Sequence, residues 1–159
     1  MRLFFALWPP RAAADALHAW ATQVRRASGG RVTRPATIHL TLAFLGEVEE
    51  TALPDLRNLR IEAEKLNLPI EQARYWAHNR IVWVGPKETP ASLATLSKTL
   101  KEEKRPFAAH ITLIRKARDP GPLPALPKIE WPVNEVMLVR SHLSSEGSSY
   151  EVLQRYPLG

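Results

Sequence analysis

The sequence predicts an α+β fold built from two similar halves that face each other. Two observations predict it: short apolar runs with a two-residue alternation are interleaved with segments of helical periodicity, and one short signature occurs twice along the chain. A chain of 159 residues also has the length of one domain. We therefore expect residues 1–159 to form a single bilobal domain with pseudo-twofold symmetry and two interleaved lobes.

The first half of the chain is predicted to contain two strands and two helices. The apolar run at residues 3–7 is bounded by Pro9 and Pro10 and is typical of a buried strand. A helix is expected from Pro10 to residue 27, because Pro suits a first helical turn and Gly29 and Gly30 can end the helix. Alternating apolar and polar residues then predict a strand over 32–46, and an apolar stripe predicts a second helix over 51–66.

The second half is predicted to contain mainly strands. Residues 70–75 and 80–84 form a predicted hairpin, a helix capped by Thr89 follows, and residues 107–114 form another strand. The proline-rich stretch 117–132 predicts an extended connection with at most a short strand near Ile129. The last two predicted strands, 136–143 and 150–155, flank a polar loop at 144–149.

Composition and charge exclude several classes of protein. Cysteine is absent, so disulfide frameworks, thiolate zinc sites and cysteine nucleophiles are excluded. There are 22 Lys and Arg against 16 Asp and Glu, and the net charge of +6 favours polyanionic partners. No apolar run is long enough for a signal peptide or a membrane span, so we expect a cytoplasmic protein without a membrane partner.

The repeated signature contains the strongest functional signal. It reads Arg-Pro-x-x-x-His-Leu/Ile-Thr-Leu, starting at Arg34 and again 71 residues later at Arg105. On a strand, His39 and Thr41 point to one face, and the second copy places its histidine and threonine in the same way. Two copies related by a pseudo-twofold axis would bring two imidazoles and two hydroxyls together in one cleft.

Such a group of side chains suits chemistry on a phosphate. His39 and His110 can act as general acid and general base, because the pKa of histidine lies near neutrality. The hydroxyls of Thr41 and Thr112 can donate hydrogen bonds to phosphate oxygens. Arg115 adds a positive charge, although it lies five residues after His110 and reaches the cleft only if the strand contains a bulge or ends there.

Aromatic residues near the motifs are candidates for nucleobase recognition. Phe44 and Phe107 each lie close to one histidine in the sequence, and either ring could stack on a base. The five tryptophans are expected in the core instead. No paired carboxylates lie near either motif, so we predict no metal site.

The sequence closely resembles the two-histidine phosphoesterase superfamily, and within it the RNA 2',3'-cyclic phosphodiesterases, also called 2'-5' RNA ligases. The resemblance covers the chain from end to end. It is carried by RLFFA at residues 2–6, HLTLAFLGEV at 39–48, HITL at 110–113 with Arg115 after it, and the tail over 136–158. Ala109 stands where the family often has proline, and His142 is unusual in the tail, but neither change removes a reacting group.

The resemblance implies a bilobal α+β fold with two antiparallel sheets flanked by helices around a central cleft. It also implies hydrolysis of RNA 2',3'-cyclic phosphate ends to 2'-phosphates, without a metal ion or an organic cofactor. By position, His39 is expected to be the general acid and His110 the general base, although the pseudo-symmetry permits the reverse. Thr41, Thr112 and Arg115 are expected to hold the phosphate. The expected partner is RNA or an oligonucleotide with a cyclic phosphate end, and no obligate protein partner is predicted.

Three alternatives remain open at the level of sequence. The same site could join 2',5' RNA ends, because opening and closing the phosphodiester share a transition state. The protein could instead be a binding module for RNA ends without turnover. A metal-dependent phosphodiesterase with the two histidines as ligands is the third alternative.

Overall fold

The computed structural model describes residues 1–145 and 147–159, which form strands and helices in mixed order. Over these residues the strands are β1 (Arg2–Leu7), β2 (Arg31–Val32), β3 (Leu40–Glu47), β4 (Leu66–Asn67), β5 (Gln72–Trp76), β6 (Ile81–Gly85), β7 (Ile111–Arg115), β8 (Pro132–Val133), β9 (Glu135–Ser144) and β10 (Gly147–Pro157). The helices are α1 (Arg11–Ser28), α2 (Leu53–Arg57) and α3 (Ala91–Leu100).

Two four-stranded sheets form the body of the protein. The first sheet has the order β10-β9-β1-β3 and the second has the order β2-β7-β6-β5. All neighbouring strands run antiparallel, and β4 pairs separately with β8. The predicted α+β fold with two antiparallel sheets is therefore confirmed.

The two halves repeat one arrangement of strand, helix and motif strand. In the first half, β1 is followed by α1 and then pairs antiparallel with β3. In the second half, β6 is followed by α3 and then pairs antiparallel with β7. Each helix crosses to the other lobe, since α1 contacts β2 and β7 while α3 contacts β3. The two halves of the chain therefore exchange helix contacts.

Alternation along β1 divides its side chains between two faces. Leu3, Phe5 and Leu7 are buried in a core cluster that also contains α1 residues and residues of the second sheet. Phe4 and Ala6 belong to a smaller cluster on the opposite face of the first sheet, where Trp8 and Tyr150 pack against it. The larger cluster, shared by both sheets, stabilises the fold by removing apolar surface from water.

The turn after α1 brings the edge of the second sheet into place. Gly29 has φ +61°, and its N–H donates a hydrogen bond to the carbonyl oxygen of Arg25. At Gly30, with φ +86°, a Cβ atom would overlap the carbonyl oxygen of Arg115. Glycine is therefore required for this close approach, which sets the start of β2 against β7.

The predicted helix over 51–66 is wrong beyond Arg57, where α2 ends. Ile61, Ala63 and Leu66 instead pack on the core from non-helical backbone, and β4 pairs with β8. The amide of Leu68 continues this pairing with a 2.9 Å hydrogen bond to the carbonyl oxygen of Trp131. Contacts with a distant segment therefore override the helical pattern.

Two strand predictions also change. The predicted strand over 32–46 is interrupted by a 3-10 turn at Pro35–Thr37, and the short strand expected near Ile129 lies at Pro132–Val133. The predicted loop at 144–149 includes Glu146, which lies outside the described residues. Among the helices that the structure describes, none combines the length and apolar character needed to cross a membrane.

Candidate active site

The two motif histidines lie where the sheets meet. His39 immediately precedes β3, His110 immediately precedes β7, and these two strands contact each other. The histidines are close enough for the charge of His110 to lower the pKa of His39. The structure therefore brings together the two copies of the signature, as the sequence analysis expects.

Both imidazoles are held by the same local hydrogen bond. Nδ1 of His39 lies 2.7 Å from the carbonyl oxygen of Thr37, and Nδ1 of His110 lies 3.0 Å from that of Ala108. A carbonyl oxygen only accepts hydrogen bonds, so Nδ1 is the donor in both rings. This bond fixes the tautomer of each neutral ring and leaves Nε2 to accept or donate a proton in the cleft.

Aromatic rings surround His39. The Trp8 ring stacks on the imidazole at a centroid distance of 4.7 Å and an interplanar angle of 15°. Phe4 and Tyr150 each lie 5.3 Å from the imidazole, measured between ring centroids. Trp8 is fixed in turn by a 2.9 Å hydrogen bond from Nε1 to the carbonyl oxygen of Ala36.

Burial among these rings lowers the pKa of His39 from its ordinary value of 6.5 to about 4. The hydrogen bond to the Thr37 carbonyl opposes the shift, whereas the positive charges of Arg115 and His110 add to it. In the protein without substrate, His39 is consequently neutral at neutral pH.

A different pair of aromatic residues lies beside His110. Trp76 of β5 is 5.0 Å from the imidazole and Trp83 of β6 is 6.1 Å away, measured between ring centroids. The two indoles contact each other at 4.7 Å. Trp83 is almost fully buried, whereas Trp76 is only half-buried.

Each motif strand contains a bulge at the same position of the signature. In β3, Thr41 pairs with Ala6 and Ala43 pairs with Phe5, so Leu42 is an extra residue. In β7, Thr112 pairs with Trp83 and Ile114 pairs with Val82, so Leu113 is the extra residue. A bulge shifts the following side chains to the opposite face of the strand.

The bulges decide which side chains share the cleft face. Because of them, Thr41 and Phe44 lie on one face of β3, and Thr112 and Arg115 lie on one face of β7. The bulge that Arg115 requires is therefore present. Arg115 also acts electrostatically on His39, which agrees with a position beside the cleft.

The carbonyl groups of both bulges have hydrogen-bond partners. The buried Ser97 of α3 donates its hydroxyl to the carbonyl oxygen of Leu42 at 2.6 Å. The amide of Thr33 donates to the carbonyl oxygen of Leu113 at 2.8 Å. Each bulge is thus held by a neighbouring segment, which keeps the residues after it in fixed positions.

The two halves differ at the position five residues after the histidine. The first half has Phe44, which is 61% exposed. The centroid of its ring lies 6.0 Å from that of Phe4. The second half has Arg115, also exposed. One side of a nearly symmetric site is therefore aromatic and the other is positively charged.

The threonines are placed for contact with a ligand. Thr41 and Thr112 are half-buried, and neither hydroxyl makes a hydrogen bond to any residue in 1–145 or 147–159. The hydroxyl of Thr33 donates a 3.1 Å hydrogen bond to the backbone carbonyl oxygen of Thr112 and leaves its side-chain hydroxyl unengaged. Both hydroxyls are free to donate to phosphate oxygens.

Phe107 differs from Phe44 because it is half-buried and packs against the hydrophobic core.

The expectation that all tryptophans lie in the core is wrong for Trp8 and Trp76, which are half-buried beside the histidines. The alternation along β1 indicates the position of Trp8 in the sequence. Phe4 and Ala6 share one face of the strand, opposite the buried Leu3, Phe5 and Leu7, and Trp8 continues the series of Phe4 and Ala6.

Within the described part of the chain, no group of three or more His, Asp or Glu side chains could hold a metal ion.

Comparisons with known proteins find one family model and several similar proteins. Residues 7–83 match the family model described as LigT like Phosphoesterase. A Thermus thermophilus protein named RNA 2',3'-cyclic phosphodiesterase is 35% identical, covering 99% of this chain and 90% of that protein. An Escherichia coli protein of the same name is 33% identical, covering 99% of this chain and 96% of its own length.

Solved structures show the same fold. The crystal structure of E. coli LigT in apo form has a TM-score of 0.87 and 32% identity, covering 99% of this chain and 96% of that chain. The crystal structure of E. coli LigT complexed with 3'-AMP has a TM-score of 0.86 and 31% identity, covering 99% of this chain and 97% of that chain.

Proposed function

The chain belongs to the LigT-like phosphoesterase family, and from this premise we propose that it hydrolyses RNA 2',3'-cyclic phosphate ends to 2'-phosphates without a metal ion. The observation that carries the proposal is the matched geometry of the histidines. His39 and His110 each donate from Nδ1 to a carbonyl two residues earlier and keep Nε2 for proton transfer. Two relatives similar to this chain over nearly its whole length are named for the same activity.

In the proposed reaction, water attacks phosphorus while the bond from phosphorus to the 3'-oxygen breaks. One histidine takes a proton from the water, and the other gives a proton to the 3'-oxygen as it leaves. The product has a 2'-phosphate and a free 3'-hydroxyl. The strained cyclic ester is already reactive, so acid and base catalysis of about 10²–10⁴-fold is a useful share of the acceleration.

Either histidine can be the general acid, with the other as the general base. The family resemblance favours His39 as acid and His110 as base, and we retain this assignment as the proposal. It requires that the negative phosphate, once bound, raises the pKa of His39 so that its ring carries a proton. The reverse assignment is supported by a specific observation, because burial lowers the pKa of His39 to about 4 and a neutral imidazole is ready to act as a base.

Three further side chains are proposed to bind the phosphate. Thr41 and Thr112 donate hydrogen bonds to its non-bridging oxygens, and Arg115 supplies positive charge. These groups are held before the reaction, so they stabilise the negative charge that develops in the transition state without reorganising. The support is their shared face with the histidines. Strand alternation places Thr41 and Thr112 on that face, and the bulge at Leu113 brings Arg115 to it.

We also propose that the terminal base stacks on Phe44. Its ring is 61% exposed and belongs to the aromatic face that surrounds His39. Phe107 was an equal candidate from the sequence, but its packing against the core makes it the weaker one. Stacking on an aromatic ring is tolerant of base identity, so we expect little base preference from Phe44.

The alternatives make different predictions for the same reaction mixture. Joining of 2',5' ends would proceed through the same site, with a 5'-hydroxyl in place of water. A binding module would retain RNA without turnover, and a metal-dependent enzyme would lose activity in excess chelator. Since the described residues hold no group of three potential metal ligands, the metal-dependent alternative has the least support.

The decisive experiment uses an RNA oligonucleotide with a 2',3'-cyclic phosphate end, in the presence of EDTA. Products with 2'-phosphate and 3'-phosphate ends are resolved, and any 2'-5' linked product is quantified in the same samples. We expect conversion to the 2'-phosphate by the wild type and none by His39→Ala or His110→Ala. His142→Ala is the matched control, because His142 is bound to Glu151 on the surface and should be dispensable.

Wild-type protein that binds the RNA but leaves its end unchanged would reject the proposed hydrolysis. Three further predictions accompany the proposal. A single bilobal domain over residues 1–159 is supported by the core cluster that both sheets share. The cytoplasmic location and the lack of an obligate protein partner stay predictions from the sequence.

A further inference from the structure

The edge of the second sheet carries two arginines side by side. Arg31 of β2 lies directly opposite Arg115 of β7 in the antiparallel pairing, so both side chains lie on the same face of the sheet. The bulge at Leu113 places Arg115 on the face shared by Thr112, which is the cleft face. Arg31 therefore extends the positively charged side of the cleft outward by one strand.

These arginines have no negatively charged partner among the described residues. Over 1–145 and 147–159, neither Arg31 nor Arg115 is within ion-pair distance of a carboxylate. Like charges placed directly opposite each other in a sheet are destabilising. Phosphates bound to the two guanidinium groups would offset this repulsion, which makes the pair suited to successive phosphates of one strand.

A third arginine lies beside them where the lobes meet. Arg34 donates from Nη2 to the carbonyl oxygen of Ser148 at 3.3 Å, so it contacts the β9–β10 hairpin of the first sheet. On that hairpin, a Cβ at Gly147 would lie 3.7 Å from Nη1 of Arg31. Arg31, Arg34 and Arg115 thus line one end of the cleft, which we call the arginine rim.

We propose that Arg31 and Arg34 bind the phosphodiester that joins the terminal nucleotide to its 5' neighbour. The arginine rim would then select an RNA end over a mononucleotide. This rests on the proposed function, in which Arg115 holds the reacting phosphate. Neighbouring strands are about 5 Å apart, so side chains from β7 and β2 can contact two successive phosphates of one strand.

The RNA strand could instead follow the opposite edge of the same sheet, which is formed by β5. Arg74 of β5 is in register with Trp83, so it too lies on the cleft face. Its Nε donates to the side-chain oxygen of Gln72 at 3.3 Å, but β5 is separated from β7 by β6, whereas β2 lies next to β7. We therefore assign the RNA strand to the arginine rim, and Arg74 serves to test the direction.

The test compares two substrates with the same reactive end, a mononucleotide 2',3'-cyclic phosphate and a four-nucleotide RNA with a 2',3'-cyclic phosphate. We expect Arg31→Gln to raise KM for the tetranucleotide about threefold to tenfold and to leave the mononucleotide unchanged. The slope of log(kcat/KM) against log salt for the tetranucleotide should become shallower by about 0.7, the value for one lost phosphate contact on a single strand. Arg31→Lys should restore the slope because it keeps the charge.

Arg60→Gln is the matched control, since Arg60 is an exposed arginine outside the cleft and its loss removes the same net charge. Equal changes for both substrates in Arg31→Gln would overturn the proposal, because Arg31 would then act on the reacting phosphate or on folding. A tetranucleotide-specific loss in Arg74→Gln with none in Arg31→Gln would overturn it as well.

A binding measurement separates this proposal from the proposed function. Fluorescence anisotropy of a labelled tetranucleotide with a 2'-phosphate end reports affinity without turnover. Weaker binding by Arg31→Gln than by Arg60→Gln supports the arginine rim even if the wild type shows no hydrolysis. Equal affinity of the two variants overturns the arginine rim even if hydrolysis is confirmed.

Discussion

Leu42 and Leu113 occupy the same place in the two copies of the signature, and each is the extra residue of a β-bulge. Both are buried in the core, so neither side chain enters the cleft. Their effect is on the residue two positions later, which is Phe44 in one strand and Arg115 in the other. The two bulges therefore place the ring of Phe44 and the guanidinium group of Arg115 on the cleft face.

The bulge at Leu42 depends on a hydrogen bond from α3. Ser97→Ala removes the donor to the Leu42 carbonyl and leaves that buried oxygen without its 2.6 Å partner. We expect a loss of about 1–3 kcal/mol in the free energy of unfolding, measured by urea denaturation. We also expect a higher KM, because Phe44 loses its fixed position.

Thr99→Ala is the control for this variant. Thr99 is on the same helix, is exposed, and donates only to the Thr95 carbonyl within α3. It should leave both the free energy of unfolding and KM close to the wild type. A Ser97→Ala variant as stable and as active as Thr99→Ala would show that the bulge holds its shape without this bond.

The exposed ring of Phe44 is predicted to stack on the terminal base. Phe44→Ala should raise KM for a nucleoside 2',3'-cyclic phosphate about fivefold to a hundredfold, the equivalent of about 1–3 kcal/mol per stacked base. Phe44→Tyr should retain most of the affinity. With ribose 2',3'-cyclic phosphate, which has no base, Phe44→Ala and the wild type should have the same KM.

Leu143→Ala is a suitable control because Leu143 is 67% exposed and also apolar. If Phe44→Ala impairs the substrate without a base as much as the nucleotide, the ring supports the site and does not bind the base.

The acid and base roles can be separated with a leaving group that needs no proton. In a 2',3'-cyclic phosphate with sulfur in place of the 3'-oxygen, the thiolate leaves without acid catalysis. If His39 is the acid, His39→Ala should hydrolyse this substrate within about tenfold of the wild type, whereas His110→Ala should stay inactive, since the base is still required. Single-turnover rates of both variants with both substrates give the comparison.

The opposite pattern would establish the reverse assignment, which the lowered pKa of His39 supports. Inactivity of both variants on the sulfur substrate would contradict acid catalysis by either ring.

The lowered pKa of His39 also predicts how stability depends on pH. In the unfolded chain the imidazole has a pKa of 6.5, and in the folded protein it has a pKa of about 4. Between these values the unfolded state binds more protons, so the free energy of unfolding falls as the pH drops from 6.5 towards 4. His39 should account for up to about 3 kcal/mol of that fall and for none above pH 7.

Urea denaturation at several pH values gives the free energy of unfolding of the wild type and of His39→Asn. The difference between these two free energies measures the contribution of His39. The difference should be constant above pH 7 and should change steadily below 6.5. An NMR titration of the His39 ring gives an independent check. A midpoint near 6.5 in the folded protein would contradict the burial effect.

The sequence alone predicts the candidate site residues and the repetition of one arrangement in the two halves of the chain. His39, Thr41, His110 and Thr112 were identified because a signature with fixed offsets occurs twice, and the alternation around it defines a strand. The strand β1, the helix α1 and the hairpin of β5 and β6 were also predicted, because each is encoded by local periodicity and by turn residues beside it. Such local signals do not require knowledge of the partner segment.

Only the tertiary structure decided the features that depend on distant segments. Ile61 and Ala63 fit a helical stripe, but packing against the core and the pairing of β4 with β8 end the helix at Arg57. The bulges could not be located from the sequence, because an extra residue is defined only by its register against β1 or β6. The lowered pKa of His39 arises likewise from the rings that fold around it, since burial and not sequence position sets this pKa.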